Sequence, residues 1–220
     1  PRSTLFPYTT LFRSGGSATN DGGFGLARGL GWRFLDAAGS EILEWTGLQR
    51  LQTLHPPQRP LHGTRWIVAT DVSNPLLGPD GATRVYGPQK GLQPEELESA
   101  EALLARLAEV VHATTGFNST QPGCGAAGGL GFGLQAFLGA QRQLGFDVFA
   151  ELTGLTSRID ATDLVITGEG AVDASSLMGK GVGELIRLAA SRDRPVLLHA
   201  GRLNCPAGSL QGILAAADLV

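Results

Sequence analysis

The sequence predicts an α/β protein built around parallel strands. Two predominantly apolar runs, Trp66–Thr70 and Asp163–Thr167, are short and unbroken, as strands buried on both faces are. The second run leads into a glycine-rich loop, a helical pattern at residues 183–191 and another apolar run at Pro195–His199. A strand–loop–helix–strand unit of this kind is typical of a parallel sheet. Because the unit begins near residue 158, we expect a separate second domain there.

Composition favours a globular protein with ligand-binding loops. Of the 220 residues 42% are hydrophobic, which is ample for a core, and the 32 glycines fall in short polar clusters. A formal charge of -3 without a Lys/Arg cluster argues against nucleic acid, and no apolar run is long enough to cross a membrane. Cys124 and Cys205 lack metal-ligand or disulfide spacing, so we expect a reducing, cytoplasmic setting. The oligomeric state is left open.

The first fourteen residues show no pattern typical of a native helix, strand or signal peptide. They begin without methionine and show neither a signal-peptide pattern nor a periodicity. The stretch from Thr4 to Ser14 resembles the in-frame translation of a sequencing adapter. We therefore expect residues 1–14 to be a non-native leader, either disordered or docked non-natively on the fold, and the native chain to begin upstream of Gly15.

The elements that follow alternate between helix and strand. Gly22–Leu30 is small and apolar enough for a helix, Trp32–Leu35 alternates like a strand, and Asp36–Ser40 has the composition of a turn. The proline-rich stretch from Leu54 to Gly63 is predicted to be a loop. The apolar strand after it ends at Asp71, and ligands gather at that end of the strands in open α/β sheets.

Helices are predicted for the middle of the chain. One starts with the acidic turn at Pro94 and runs to about Thr114, because apolar residues recur at helical spacing. That apolar face consists of Leu97, Ala100, Leu103, Leu104, Leu107 and Val111. Gly125–Leu138 is a second helix candidate, rich in Gly and Ala so that neighbours can approach closely, and Phe146–Leu155 is a shorter one.

Three glycine-rich tracts carry the polar side chains of a candidate site. These residues are Ser17, Thr19, Asn20 and Asp21 in the first tract, Asp71, Asn74 and Lys90 in the second, and Glu169, Asp173, Ser175, Ser176 and Lys180 in the third. Glycines let backbone N–H groups approach an anion closely. Phosphoryl transfer needs carboxylates for Mg²⁺, a lysine for the transferring phosphate and a group that positions the attacking hydroxyl. We therefore expect the tracts to meet in space.

Structural interpretations of the first and second tracts remain open. Asn20 or Asp21 is placed to cap the helix that follows. Asn74 stands before Pro75, which is typical of the start of a turn. Lys90 lies next to glycine, where a ligand is slightly favoured over a solvated side chain.

The third tract has the same ambiguity. Asp173 and Ser175 are placed to cap the next helix. Glu169 lies between two glycines and has no evident capping or packing role, which favours a function. Cys124 lacks a partner base and is not expected to act as a nucleophile.

Two familiar nucleotide motifs are excluded. The spaced glycines of Gly23–Gly29 lack the hydrophobic strand that must precede a dinucleotide-binding turn. Gly179-Lys180 lacks the following hydroxyl residue and the earlier glycine of a Walker A loop.

Four tracts in order carry a family resemblance. They are Gly-Gly-Ser-Ala-Thr-Asn-Asp-Gly-Gly from Gly15, Asp-Val-Ser-Asn-Pro-Leu-Leu-Gly-Pro-Asp-Gly-Ala from Asp71 with Gly-Pro-Gln-Lys-Gly from Gly87, Gly-Ala-Ala-Gly-Gly-Leu-Gly-Phe-Gly from Gly125, and Thr-Gly-Glu-Gly-Ala-Val-Asp from Thr167. Together they resemble the bacterial glycerate kinase family, of the two-domain type with a flavodoxin-like domain. The likeness covers Gly15 to the C-terminus.

The resemblance implies a fold and an activity. Residues 15–157 would form an inserted α/β domain, and residues 158–220 an incomplete flavodoxin-like parallel-sheet domain. The family's first segment is absent and the chain stops within a strand-like run at Val220. We therefore expect an internal fragment, inactive alone, of an enzyme that phosphorylates D-glycerate to 2-phosphoglycerate with ATP and Mg²⁺ in the cleft between the domains.

The residue types within these motifs suggest roles. The expected catalytic residues are Asp21, Asp71 and Lys90; the expected substrate-binding residues are Ser17, Thr19, Asn20 and Asn74; and the expected nucleotide-binding residues are Glu169, Asp173 and Lys180, with Glu169 and Asp173 holding Mg²⁺. Two other functions stay open: a non-catalytic ligand-binding fragment, and a kinase of the same architecture for another small hydroxy acid. Activity on a panel of hydroxy acids would separate these alternatives.

Overall fold

The computed structural model describes residues 9–13, 17–59, 64–173, 181–204 and 213–218. The predicted α/β class with parallel strands is confirmed. The chain divides into two compact units between Gln143 and Leu144, each with its own core. The sequence predicts a division near residue 157 instead. Leu155, which lies before the predicted boundary, packs in the second unit's core against the cluster of Ile159 and Val196.

The first unit contains five strands and four helices among the described residues. In chain order they are β1 (Thr9–Arg13), α1 (Phe24–Gly29), β2 (Arg33–Leu35), β3 (Thr53–His55), β4 (Arg65–Ala69), α2 (Ala82–Tyr86), α3 (Leu97–Thr115), α4 (Ala126–Leu138) and β5 (Gln141–Gln143). Short 3₁₀ helices cover Trp45–Arg50, Pro88–Lys90 and Pro94–Glu96.

The sheet of the first unit is parallel, in the order β1-β4-β5. Strand β4 lies in the middle, where Val68 is completely buried. Strands β2 and β3 form a separate antiparallel pair. Strand β1 lies within the predicted non-native leader, and its backbone pairs with β4 over five residue positions. The loop predicted from Leu54 begins only after His55, the last residue of β3.

Helix α3 forms the centre of the first core. Its predicted apolar face is buried at Leu104, Leu107 and Val111, as helical periodicity requires. The helix is preceded by a capping box, in which Gln93 and Glu96 each bond to the other's backbone. An aromatic cluster packs in the same core and includes Phe24, Phe34, Phe117, Phe132 and Phe137.

The start of α4 differs from a regular helix. Ala127, Gly128 and Gly129 all have left-handed backbone conformations, with φ of 55°, 69° and 85°. Regular helix therefore begins only after this turn, whereas the sequence predicts a helix from Gly125. The reason is a tertiary contact, because the Gly22 N–H donates to the Gly128 carbonyl at 3.1 Å and holds the turn against the first glycine tract.

The second unit is a smaller α/β arrangement. Its elements are α5 (Gly145–Thr153), α6 (Leu155–Asp160), β6 (Val165–Glu169), β7 (Val172–Asp173), α7 (Gly181–Ala190), β8 (Val196–Ala200), β9 (Leu203–Asn204) and β10 (Ile213–Asp218). Parallel strands pair in the order β10-β8-β6, and β7 pairs with β9 in parallel. The predicted strand–loop–helix–strand unit corresponds to β6, α7 and β8.

Within the described residues, the two faces of the second unit's sheet differ in burial. Ile186 and Ala189 of α7 pack with Val196 in one core cluster. Ile166, which points to the opposite face of β6, is 64% exposed. Within the described residues, no helix combines the length and apolarity that a membrane span requires.

Candidate functional site

Lys90 joins the first two glycine tracts. Its Nζ donates to Ser17 Oγ at 3.0 Å and to the Thr19 carbonyl oxygen at 2.7 Å, across 73 and 71 residues of sequence. The predicted meeting of these two tracts is therefore present in the first unit. An ammonium group has three N–H donors, so the two bonds to described residues leave one donor for a ligand.

Local backbone structure sets the position of Lys90. The 3₁₀ turn Pro88–Lys90 follows α2 directly, and its N–H bonds return to Gly87: the Lys90 N–H donates to the Gly87 carbonyl at 2.9 Å. Gly87 in turn donates to the Thr83 carbonyl at 2.8 Å. Two successive hydrogen-bonded turns thus connect Thr83 to Lys90, and the long side chain of Lys90 reaches back to the first tract.

Partial burial changes the acid–base behaviour of Lys90. Desolvation lowers the pKa of its ammonium group from the ordinary 10.5, and the negative charge of Asp21 partly opposes this shift. Because desolvation disfavours the charged form, an anion bound next to Nζ would stabilise the ammonium group and raise this pKa.

Asp21 caps the start of α1 while remaining accessible. Its Oδ1 accepts from the Gly23 N–H at 3.0 Å and its Oδ2 from the Gly25 N–H at 2.9 Å. The capping interpretation therefore applies to Asp21. The side chain is only partly buried, and each carboxylate oxygen keeps a further lone pair for a ligand.

Asn20 is buried under α2 and does not cap the helix. Its Nδ2 donates to Thr83 Oγ1 at 3.0 Å; Asn20 is 9% exposed and Thr83 fully buried. The Asn20 Oδ1 is sealed from solvent and has no hydrogen-bond partner among the described residues. Its amide thus links the first tract to α2, and a role of Asn20 in substrate binding stays a prediction.

The left-handed turn of α4 closes the site from a third side. A Cβ on Gly128 would overlap the Thr19 carbonyl and would lie 2.7 Å from Lys90 Nζ. Gly128 is therefore required both by its positive φ and by the close approach of the lysine. The glycine-rich segment from Gly123 to Gly133 is absent from the candidate site residues that the sequence predicts.

The side chain of Asn74 makes two hydrogen bonds that hold its own loop. Its Nδ2 donates to the Asp80 carbonyl at 2.8 Å, and its Oδ1 accepts from the Tyr86 hydroxyl at 2.8 Å. The Gly125 N–H donates to its backbone carbonyl at 2.8 Å. This arrangement matches the turn interpretation of Asn74 and connects α2 to the start of α4.

Asp71 follows β4, as the sequence predicts. Its side chain is exposed, and the preceding Thr70 is buried and donates through its hydroxyl to the Val72 carbonyl at 2.8 Å. The strand end is thereby fixed next to the loop that contains Asn74.

The predicted nucleotide-binding residues lie in the second unit. Glu169 ends β6 and Asp173 ends β7, and both are exposed. Lys180, with Ser175 and Ser176, lies outside the described residues. Among the residues described, no group of three or more His, Cys, Asp or Glu side chains is arranged to hold a metal ion.

Cys124 has no nucleophilic character in this structure. Burial raises the pKa of its thiol from 9.0 to about 12, although the nearby Arg142 charge opposes the shift. The expectation that it is not a nucleophile agrees with this environment. Cys205 lies outside the described residues.

Thr83, Tyr86 and Gly128 are the site-forming residues that sequence reasoning missed. Thr83 and Tyr86 lie on a short helix of mixed composition, whose periodicity is too brief to indicate which side chains face inward. Gly128 belongs to the Gly-Ala-Ala-Gly-Gly-Leu-Gly-Phe-Gly tract, and the density of glycines there was the signal that could have identified it.

Comparison with known proteins identifies similar sequences. The model of the glycerate kinase family matches residues 10–220. The chain is 40% identical to glycerate kinase from Bacillus subtilis strain 168 over 195 residues, covering 86% of this chain and 51% of that protein. It is 39% identical to glycerate 2-kinase from Escherichia coli strain K12 over 202 residues, covering 88% of this chain and 52% of that protein.

A solved structure has the same fold. It is described as a glycerate kinase 2 from Salmonella typhimurium LT2, and it superposes with a TM-score of 0.78 at 35% identity, covering 90% of this chain and 56% of that chain. The chain spans about half the length of the curated relatives it matches.

Proposed function

The chain belongs to the glycerate kinase family, and from this membership we propose that the whole protein transfers the γ-phosphoryl group of ATP to D-glycerate. A substrate hydroxyl oxygen forms the new bond to phosphorus, the bond between the β- and γ-phosphates breaks, and ADP, 2-phosphoglycerate and a proton are released. The observation that supports this proposal best is the convergence of Lys90, Ser17, Thr19 and Asp21 in one place.

Lys90 is proposed to bind the anionic part of the substrate. Its remaining N–H donor would point to a carboxylate or a transferring phosphoryl oxygen, and the charge-assisted bond would be strong in this partly desolvated position. Ser17 and Thr19 would hold the ammonium group in place. Because Lys90 must be charged to do this, binding should weaken on the alkaline side, at a pH below 10.5.

Asp21 is proposed to orient the attacking hydroxyl. Its oxygens are fixed by two backbone N–H groups and still have lone pairs free, so the carboxylate can accept the hydroxyl proton as a hydrogen bond without moving. Asp71 would add a second carboxylate to the pocket. Asn20 and Asn74 would act indirectly, since their amides bond to α2 and its preceding loop.

ATP and Mg²⁺ are proposed to use residues of the second unit. Mg²⁺ in kinases is held by one or two carboxylates together with phosphate oxygens, and the exposed Glu169 and Asp173 fit that donor set. The bound ion would neutralise charge on the transferring phosphoryl group. The proposed contribution of Lys180 concerns a residue outside the described ranges.

A transfer assay tests the proposal. The protein extended to the full length of its relatives, and separately the 220-residue chain, are incubated with ATP, Mg²⁺ and D-glycerate, and 2-phosphoglycerate is measured. We expect product from the extended protein and none from the 220-residue chain. Binding of D-glycerate and ATP without any transfer by either protein would instead indicate a binding module. A higher kcat/KM for a different hydroxy acid would show that the substrate is wrong while the reaction type is right.

A further inference from the structure

We propose that Thr83 is a positioning residue, which holds the Ser17–Asp21 segment in register with Lys90 through the buried side chain of Asn20. The proposal rests on the proposed function only in taking Lys90 as the group that meets the substrate anion. Thr83 itself does not contact a ligand, since it is completely buried.

Two sets of hydrogen bonds join the Ser17–Asp21 segment to the segment from Thr83 to Lys90. The first is the buried bond from Asn20 Nδ2 to Thr83 Oγ1, at 3.0 Å. The second consists of the bonds from Lys90 Nζ to Ser17 Oγ and to the carbonyl of Thr19, which immediately precedes Asn20. The Asn20–Thr83 bond is buried, whereas the two bonds of the ammonium group are partly buried or exposed.

The backbone between Thr83 and Lys90 is held by hydrogen bonds. Gly87 donates to the Thr83 carbonyl and Lys90 donates to the Gly87 carbonyl, so Thr83 and Lys90 are connected by consecutive hydrogen-bonded turns. In the other segment, Thr19 and Asn20 are adjacent residues. The two sets of hydrogen bonds therefore connect the segments at neighbouring points. The Asn20–Thr83 bond fixes the distance between the Lys90 backbone and Thr19, which the flexible lysine side chain has to span.

The Asn20–Thr83 pair carries a cost in folding stability. The Asn20 Oδ1 is buried without a partner among the described residues, and an unpaired buried oxygen opposes folding. Two apolar side chains of the same shape would avoid that cost. A directional bond specifies the register of two segments more narrowly than apolar contact does, and this is the advantage we assign to the pair.

Lysine titration gives a readout that does not depend on kinase activity. The chain has two lysines, Lys90 and Lys180, so ¹³Cε-lysine NMR of the 220-residue protein gives two side-chain signals, assigned with a Lys180→Arg variant. We expect wild-type Lys90 to titrate below 10.5. Thr83→Val should move its midpoint up toward 10.5, because a loosened segment admits water and removes the desolvation that lowers the pKa. The weaker influence of Asp21 works in the opposite direction and does not reverse this sign.

Matched variants separate positioning from general loosening. Thr83→Ser keeps the hydroxyl and should leave the Lys90 midpoint unchanged. Thr114→Val removes a hydroxyl that bonds to the Val110 carbonyl on α3, and should also leave it unchanged. The double variant Asn20→Leu/Thr83→Val should unfold at a temperature no lower than wild type and yet show the shifted midpoint. If Thr83→Val does not move the midpoint, or Thr114→Val moves it equally, the proposal is wrong.

The kinase assay adds a second arm. In the extended protein, Thr83→Val should raise KM for D-glycerate by about tenfold with a smaller change in kcat, and Thr83→Ser should restore KM. An extended protein that never phosphorylates glycerate would refute the proposed function, while the NMR result would still decide the role of Thr83. An unchanged KM in an active enzyme would contradict the positioning role.

Discussion

At the scale of single residues, Asp21 combines a structural and a chemical role. Its carboxylate accepts two backbone N–H bonds at the start of α1, and its charge acts on Lys90. The two roles depend on different properties, since capping needs only acceptor atoms whereas the proposed catalysis needs the negative charge.

Asp21→Asn separates these roles. The amide keeps one acceptor oxygen, so we expect the free energy of unfolding to fall by about 1 kcal/mol. In the extended protein kcat/KM for D-glycerate should nevertheless fall at least about tenfold, because the charge is lost. Urea denaturation and steady-state kinetics measure the two effects. Wild-type kinetics in Asp21→Asn would leave only the capping role.

Gly128 offers a comparison between two glycines with similar backbone conformations. Its φ is 69° and that of Gly139 is 64°, but a Cβ on Gly139 would meet nothing within 4 Å. Gly139→Ala should therefore cost about 1–2 kcal/mol from the left-handed conformation alone. Gly128→Ala should cost more, at least about 3 kcal/mol, because its methyl group would strike the Thr19 carbonyl and Lys90. Equal losses in thermal unfolding would show that the close approach is unimportant.

At the scale of elements, the helices and strands with a periodic apolar pattern could be predicted from the sequence. Backbone conformations that tertiary contacts impose could not. The buried stripe of α3 and the apolar strands β4, β6 and β8 follow from residue spacing and length alone. The left-handed start of α4 could not be predicted in this way, because the contact between Gly22 and Gly128 imposes it. Ala127, with φ of 55°, carries no sequence signal for that conformation.

The two faces of the second unit's sheet should respond differently to truncation. Leu198 of β8 is completely buried, whereas Ile166 of the neighbouring β6 is 64% exposed. Leu198→Ala should cost about 2–5 kcal/mol through lost burial and a cavity. Ile166→Ala should cost about 1 kcal/mol or less, mainly from strand propensity. Urea denaturation monitored by circular dichroism compares them, and a loss at Ile166 as large as at Leu198 would mean that the face with Ile166 is packed in solution.

At the scale of the whole molecule, the candidate site was partly predictable. The sequence predicts that the first two polar tracts meet. Lys90 joins them because it ends a short turn between two glycines, from which its side chain reaches Ser17. The sequence does not predict that Asn20 and Asn74 bond to α2 and its loop, since both partners, Thr83 and Tyr86, lie on one short helix without a clear period. The roles of Glu169 and Asp173 in the second unit remain predictions.

Substrate use by a variant without the Lys90 ammonium group tests most directly whether Lys90 binds the substrate anion. In the extended protein, kcat/KM for D-glycerate is measured for wild type, Lys90→Gln and, as a control, the exposed neighbour Gln89→Ala. Loss of a charge-assisted bond predicts a fall of about tenfold to a hundredfold for Lys90→Gln and less than about twofold for the control. If glycerate is phosphorylated equally well without the ammonium group at position 90, the pocket formed by Ser17, Thr19 and Asp21 is not where the substrate binds.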